Sequence, residues 1–164
     1  MNEQRTQHEA TDWTQNREGI RNFFDLTAWQ KGRELVKMVY EATRGMPREE
    51  IYGLTSQVRR AAVSIPSNIA EGYGRGSTND YLHFLRTARG SAYEVQTQLM
   101  LIADLGMLRH DLVANVIEAA QRCSQVIAGL IRSVESYKRR EDSASAPRKP
   151  NSKQRMPNPE CRMP

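Results

Sequence analysis

Residues 52–75, YGLTSQVRRAAVSIPSNIAEGYGR, limit the fold of this chain more than any other stretch. Leu54, Val58, Ala61, Ile65, Ile69 and Gly72 recur at helical spacing, and the stripe keeps its phase through Pro66. Proline in a helix interior removes a backbone hydrogen bond and costs ~3 kcal/mol or more. An apolar stripe that continues in register across it predicts one helix, kinked at Pro66 and held by its packing face. A polar strip of Gln57, Arg60, Ser64, Asn68, Glu71 and Arg75 runs beside the apolar one. Gly72, Gly74 and Gly76 are expected to end the helix.

Three more segments carry the same period. Asp25 is a plausible N-cap for a first helix reaching about Thr43, with Ala28, Gly32, Leu35, Val36 and Val39 on its inner face. Gly45 and Pro47 stop it. Ser77 followed by Asp80 resembles a capping box and opens a third helix, Thr78 to Leu105, closed by Gly106. A fourth, Asp111 to about Arg139, places Leu112, Val116, Ala120, Cys123, Ile127, Leu130, Val134 and Tyr137 in a seam of alternating threes and fours. With short loops and no strand pattern, these predict an all-α, antiparallel up-down-up-down four-helix bundle. It occupies residues 21–140, between a flexible N-terminal arm (1–20) and a disordered, basic, Pro-rich tail (141–164).

The chain carries a formal charge of +5, with 24 Lys and Arg against 19 Asp and Glu. The two ends offset each other, so the surplus belongs to the bundle. Arginine dominates there, and it suits bidentate contact with phosphate or carboxylate. Cys123 and Cys161 are too few and too distant for a disulfide framework or a metal site, a usage that fits a reducing cytoplasm. No stretch has the length and apolarity of a membrane span, and no N-terminal signal region is present.

Two readings of the polar strip stand side by side. In one, Gln57, Arg60, Asn68 and Glu71 form an internal network: Arg60 pairs with Glu71, and Asn68 satisfies backbone freed by Pro66. In the other, Arg59, Arg60, Arg75, Arg86 and Arg89 form a basic patch for nucleic acid, recognising backbone and shape. The EGYGRGS stretch lacks the preceding strand and the Lys-Ser/Thr pair of a phosphate loop, so it reads as a helix connection. His8, His83 and His110 stand apart from one another and from paired carboxylates. No catalytic residue, metal site, cofactor or small-molecule substrate is expected, and the chain reads as a non-enzyme. The third and fourth helices are apolar over a wider arc than a bundle core needs. Leu82, Tyr93, Met100, Val113, Ile117 and Ile131 are therefore expected to form a homo-oligomer interface.

FFDLTAWQKGRELV, YGLTSQVRRAAVSIPSNIAEGYGRGS and FLRTARGSAYEVQTQLMLIADLGML stand in order. Together they resemble the bacterial four-helix-bundle proteins encoded in 23S rRNA intervening sequences, from about Phe23 to Arg139. The resemblance implies a ring-like homopentamer without attached enzymatic activity. Related bundles act as accessory subunits of retroelements, where a basic pentamer binds reverse transcriptase and RNA. The expected function is thus a cytoplasmic, homo-oligomeric bundle binding structured RNA or an RNA–protein complex, reverse transcriptase among the implied partners. The alternative is a protein-interaction adaptor that touches no nucleic acid.

Overall fold

The apolar stripes become four helices in the computed structural model, which describes residues 20–145. Helix α1 spans Thr27–Ala42, α2 Leu54–Gly74, α3 Thr78–Asp104 and α4 His110–Ser145. Short 3-10 turns at Phe23–Asp25, Thr43–Gly45 and Arg48–Ile51 lead into or out of them. Among the described residues there is no strand, and no helix is long and apolar enough to cross a membrane. The arm before residue 20, and the tail after residue 145 with Cys161, lie outside the described residues.

Each helix packs against the next in sequence, and α4 closes back on α1. Ser64 of α2 meets Ser91 of α3, while Gly72 meets Tyr81 and Phe84, so numbers rise on one helix as they fall on its neighbour. The α3–α4 pairs Arg86–Glu135 and Asn79–Lys138 follow the same rule. Leu35, Val39, Val58, Ile65, Ile69, Leu85, Val95, Leu99, Ile102 and Ile127 fill the common core, each at most 1% exposed.

Helix ends follow local chemistry. The Asn22 side chain accepts the N–H of Phe23 at 2.8 Å, and Asp25 accepts those of Arg21 and Asn22, each at 2.9 Å. Asp25 therefore braces the entry turn, and Leu26 takes the cap position of α1 that the sequence suggested for Asp25. At the far end of α3 the N–H of Met107 bonds Ile102 O and that of Gly106 bonds Ala103 O, with Gly106 at φ +67°. This is a Schellman stop, which needs a residue at ease in the left-handed region.

Gly72 does not end α2. It is buried inside the helix, and a Cβ there would stand 2.6 Å from the Cβ of Phe84. Its missing side chain lets α2 and α3 approach closely, while the turn itself falls at Gly76, φ +70°. Pro66 sits within an unbroken α2 and faces Gly32 of α1.

The buried seam of α4 is Val113, Val116, Ala120, Cys123, Ile127, Ile131 and Val134. Leu112 is exposed instead, and Leu130 and Tyr137 are only half-buried. The wide arc thus serves two neighbours at once, α1 on one side and α3 on the other. The helix also continues past Arg139 to Ser145, since no proline or glycine interrupts it and the Tyr137 hydroxyl donates to Glu141 at 2.8 Å.

Candidate anion-binding surface

The polar strip of α2 divides in the folded chain. Asn68 donates its amide to Ser64 O and Ser64 Oγ, both at 2.8 Å, and Ser64 Oγ lies 3.0 Å from Ser91 Oγ on α3. Ser91 passes its own proton to Thr87 O at 3.2 Å. Asn68 is therefore an internal partner, although it serves Ser64 and not the Ala62 carbonyl one turn before Pro66. Gln57, Arg60 and Glu71 lie on the exposed side and join no such network. Arg60 and Glu71 share a face but stand three turns, about 16 Å, apart. Glu71 pairs instead with Arg75, one turn away.

The five arginines do not form one patch. Arg75 is neutralised by Glu71 and lies over the Phe84 ring, 5.2 Å from its centroid. Arg86 reaches α4, where Glu135 accepts its hydrogen bond at 2.8 Å. Arg89 lies 5.9 Å from the Tyr93 ring centroid on the same helix. Arg86 and Arg75 are thus turned to different neighbours, and Arg59 sits sixteen residues, about 24 Å of helix, from Arg75. Exposed ion pairs contribute little to stability, yet each cancels a charge available to an outside anion.

Of the five, Arg59, Arg60 and Arg89 have no carboxylate partner among the described residues, and of these Arg59 and Arg60 stand side by side. The half-buried Arg59 guanidinium donates to Thr43 Oγ1 at 2.8 Å and to Thr43 O at 3.2 Å, and stacks 4.8 Å over the Tyr40 ring. All three contacts are to neutral groups, so its charge is held in place without being cancelled. Exposed Arg60 makes no ion pair, hydrogen bond or ring contact among the described residues. The two flank a groove of roughly 400 Å³, with Thr55 and Ser56 at one end and Tyr40, Ile51 and Val63 as its apolar wall. Sequence reasoning missed Thr55 and Ser56. The available signal was Gly53, which offers no capping side chain immediately before a helix that opens with two hydroxyl residues.

The expected interface residues also separate. Leu82, Val113 and Ile131 are buried inside the bundle, at 4%, 1% and 5% exposure. Ile117 is half-buried. Tyr93 and Met100 remain 51% and 48% exposed, joined on the surface by Leu101, Leu105 and Leu112.

Burial shifts two further titratable groups among the described residues. Burial pushes the Cys123 thiol up to about 11, and burial, with Tyr73 beside it, raises the Tyr81 phenol further. Among the described residues no three His, Cys, Asp or Glu are grouped to hold a metal ion.

Residues 24–129 match the model of a family described as 23S rRNA-intervening sequence protein. The fold resembles the crystal structure of a protein of unknown function from the S23 ribosomal protein family of Bacteroides thetaiotaomicron. That match has a TM-score of 0.60 at 18% identity, and covers 64% of this chain and 98% of the other. No curated protein matches the chain.

Proposed function

Because the chain belongs to the 23S rRNA-intervening sequence protein family, we propose that it is a non-catalytic, homo-oligomeric bundle of the bacterial cytoplasm that binds structured RNA or an RNA–protein complex. The observation that carries this reading is the Arg59–Arg60 pair on α2, adjacent cations without a carboxylate partner beside an open groove. Arg75 and Arg86 are already paired with carboxylates, so they contribute less to an outside phosphate. Self-association draws on Tyr93 and Met100, with Leu101, Leu105 and Leu112 alongside.

Filter binding of the full chain to a structured RNA across a salt series tests the reading. Affinity should fall steeply with salt, with a log–log slope of about 0.7–0.9 for each phosphate neutralised. Arg60→Glu should weaken binding roughly tenfold or more, and Arg75→Ala with Arg86→Ala by less. No binding at low salt would remove the reading.

The same exposed apolar residues favour a second reading, an adaptor that docks another protein, reverse transcriptase being one candidate. Association with a purified partner that survives nuclease treatment and is lost in Met100→Glu would favour it.

A further inference from the structure

The amino end of α2 has more hydrogen-bond donors than the protein uses. Gly53 holds the cap position without a side chain, and the Glu50 carboxylate accepts only the N–H of Leu54, at 2.9 Å. The N–H of Gln57 returns to Gly53 O at 3.2 Å. Among the described residues, the N–H groups of Thr55 and Ser56 have no acceptor. Free N–H groups at a helix start carry the positive end of its dipole and suit an anion.

A second, independent feature lies at the same place. Thr55 is 4% exposed, and its Oγ1 has no hydrogen-bond partner. A threonine in a helix commonly bonds the carbonyl one turn back, and a buried hydroxyl left unmatched is unfavourable. Thr55 lines the groove with Ser56, Arg59 and Arg60. Two guanidinium groups and the Ser56 side chain line one groove, and the unmatched Thr55 hydroxyl is buried in its wall. The carboxylates nearest in sequence are Glu50, held by Leu54 N–H, and Glu41, 3.5 Å from Arg44.

We propose that this groove binds a phosphate group, carried either by an RNA chain or by a free nucleotide. Arg59 is held in advance by Thr43 and Tyr40, so little side-chain freedom is lost when it meets an anion. Arg60 supplies a second cation from the open side. The wall of Tyr40, Ile51 and Val63 gives the attached sugar or base an apolar seat. Glu50 already occupies the first N–H of the helix, which confines the phosphate to the Ser56 and Arg60 side. The RNA arm of the proposal rests on the RNA-binding reading above; the phosphate site itself does not.

Amide NMR of the full chain, titrated with inorganic phosphate, adenosine monophosphate and a short RNA with or without a 5′-phosphate, tests it. Saturable shifts at the Thr55 and Ser56 amides are expected, with Arg60→Ala weakening phosphate affinity about tenfold and Ser56→Ala about threefold. Thr55→Val keeps the shape of the side chain. It should leave the thermal midpoint equal or higher while weakening phosphate, so a binding role is separable from a structural one. Amides that do not move at tens of millimolar phosphate would overturn the site, as would an Arg60→Ala affinity equal to the wild type. RNA that binds without moving these amides overturns the groove and leaves the RNA reading standing. Phosphate that binds where RNA does not supports the site with the free nucleotide as its source, and removes that reading.

Discussion

Ser64 Oγ and Ser91 Oγ meet at 3.0 Å between α2 and α3, and the Asn68 amide on one side and Thr87 O on the other fix the direction of the hydrogen bond. Asn68 donates to Ser64, and Ser91 donates to Thr87, so Ser64 must donate to Ser91. Removing Ser64 Oγ leaves Asn68 its bond to Ser64 O. Ser64→Ala should therefore lower stability by only about 1 kcal/mol. Ser91→Leu forces bulk into a contact built for hydroxyls and should lower it by about 1–3 kcal/mol or more. Urea denaturation of both variants checks the ranking.

Gly72→Ala opposes two effects of known sign. Alanine gains ~1 kcal/mol over glycine as a helix former. The new Cβ would stand 2.6 Å from Phe84 Cβ and 3.1 Å from Tyr81 Cδ2, neither of them the far end of a flexible chain. Overpacking of this kind costs about 1–3 kcal/mol, so the net change should be a loss. A raised denaturation midpoint would mean that the helices part without penalty.

Arg59 and Arg60 should separate in stability as they do in contacts. Arg59→Ala removes two charge-assisted hydrogen bonds and the stack on Tyr40, and should lower stability by about 1–3 kcal/mol. Arg60→Ala removes no internal contact and should stay within about 0.5 kcal/mol. Thermal unfolding of the two single variants measures the difference.

Alkaline pH should weaken the fold. Burial holds the Cys123 thiol at about 11 in the folded chain, above its ordinary value of 9.0. A raised acid is more fully protonated in the folded state, so its contribution is intact below pH 9 and is lost as pH rises toward 11. The loss from this group approaches 2–3 kcal/mol, on the order of 1.4 kcal/mol per pH unit. Tyr81, raised in the same direction from its ordinary value of 10.0, adds to the decline from about pH 10 upward. In a Cys161→Ser background, Cys123→Ala should flatten a urea-midpoint series between about pH 9 and 10, below the onset of Tyr81, and an unchanged slope there would contradict the assignment.

Self-association should respond to Tyr93 and Met100 and not to their buried neighbours. Met100→Glu and Tyr93→Glu place charge on exposed positions, and should shift sedimentation toward 18.7 kDa without loss of helicity. A wild-type chain already monomeric at micromolar concentration would remove the interface.

The four helices were legible because their apolar stripes persist for many turns, and the breaks at Gly45–Pro47, Gly76 and Gly106 are chemically marked. Which side of α4 turns inward was not. Leu112 and Val113, like Leu130 and Ile131, are adjacent apolar residues 100° apart, and only the position of α1 and α3 chooses between them. The site was less legible for a related reason. Arg86 meets Glu135 across forty-nine positions of sequence, and Arg59 meets Thr43 across sixteen. A pattern of charges on one helix cannot reveal which of them a distant residue will cancel. The groove at Thr55 left only the uncapped Gly53 as a trace, because an unmatched donor has no periodicity.

The contact of Arg59 with Thr43 O reaches beyond binding. It adds a charged donor to a carbonyl that otherwise holds only the Met46 N–H, at 3.4 Å, while Thr43 Oγ1 donates back to Val39 O at 2.8 Å. The stop of one helix is thereby written into the middle of another. A peptide containing α1 alone should fray more at this end, because the Arg59 donors reach it only when α2 has docked. Local opening of α2 should therefore raise hydrogen exchange at the Thr43 end of α1.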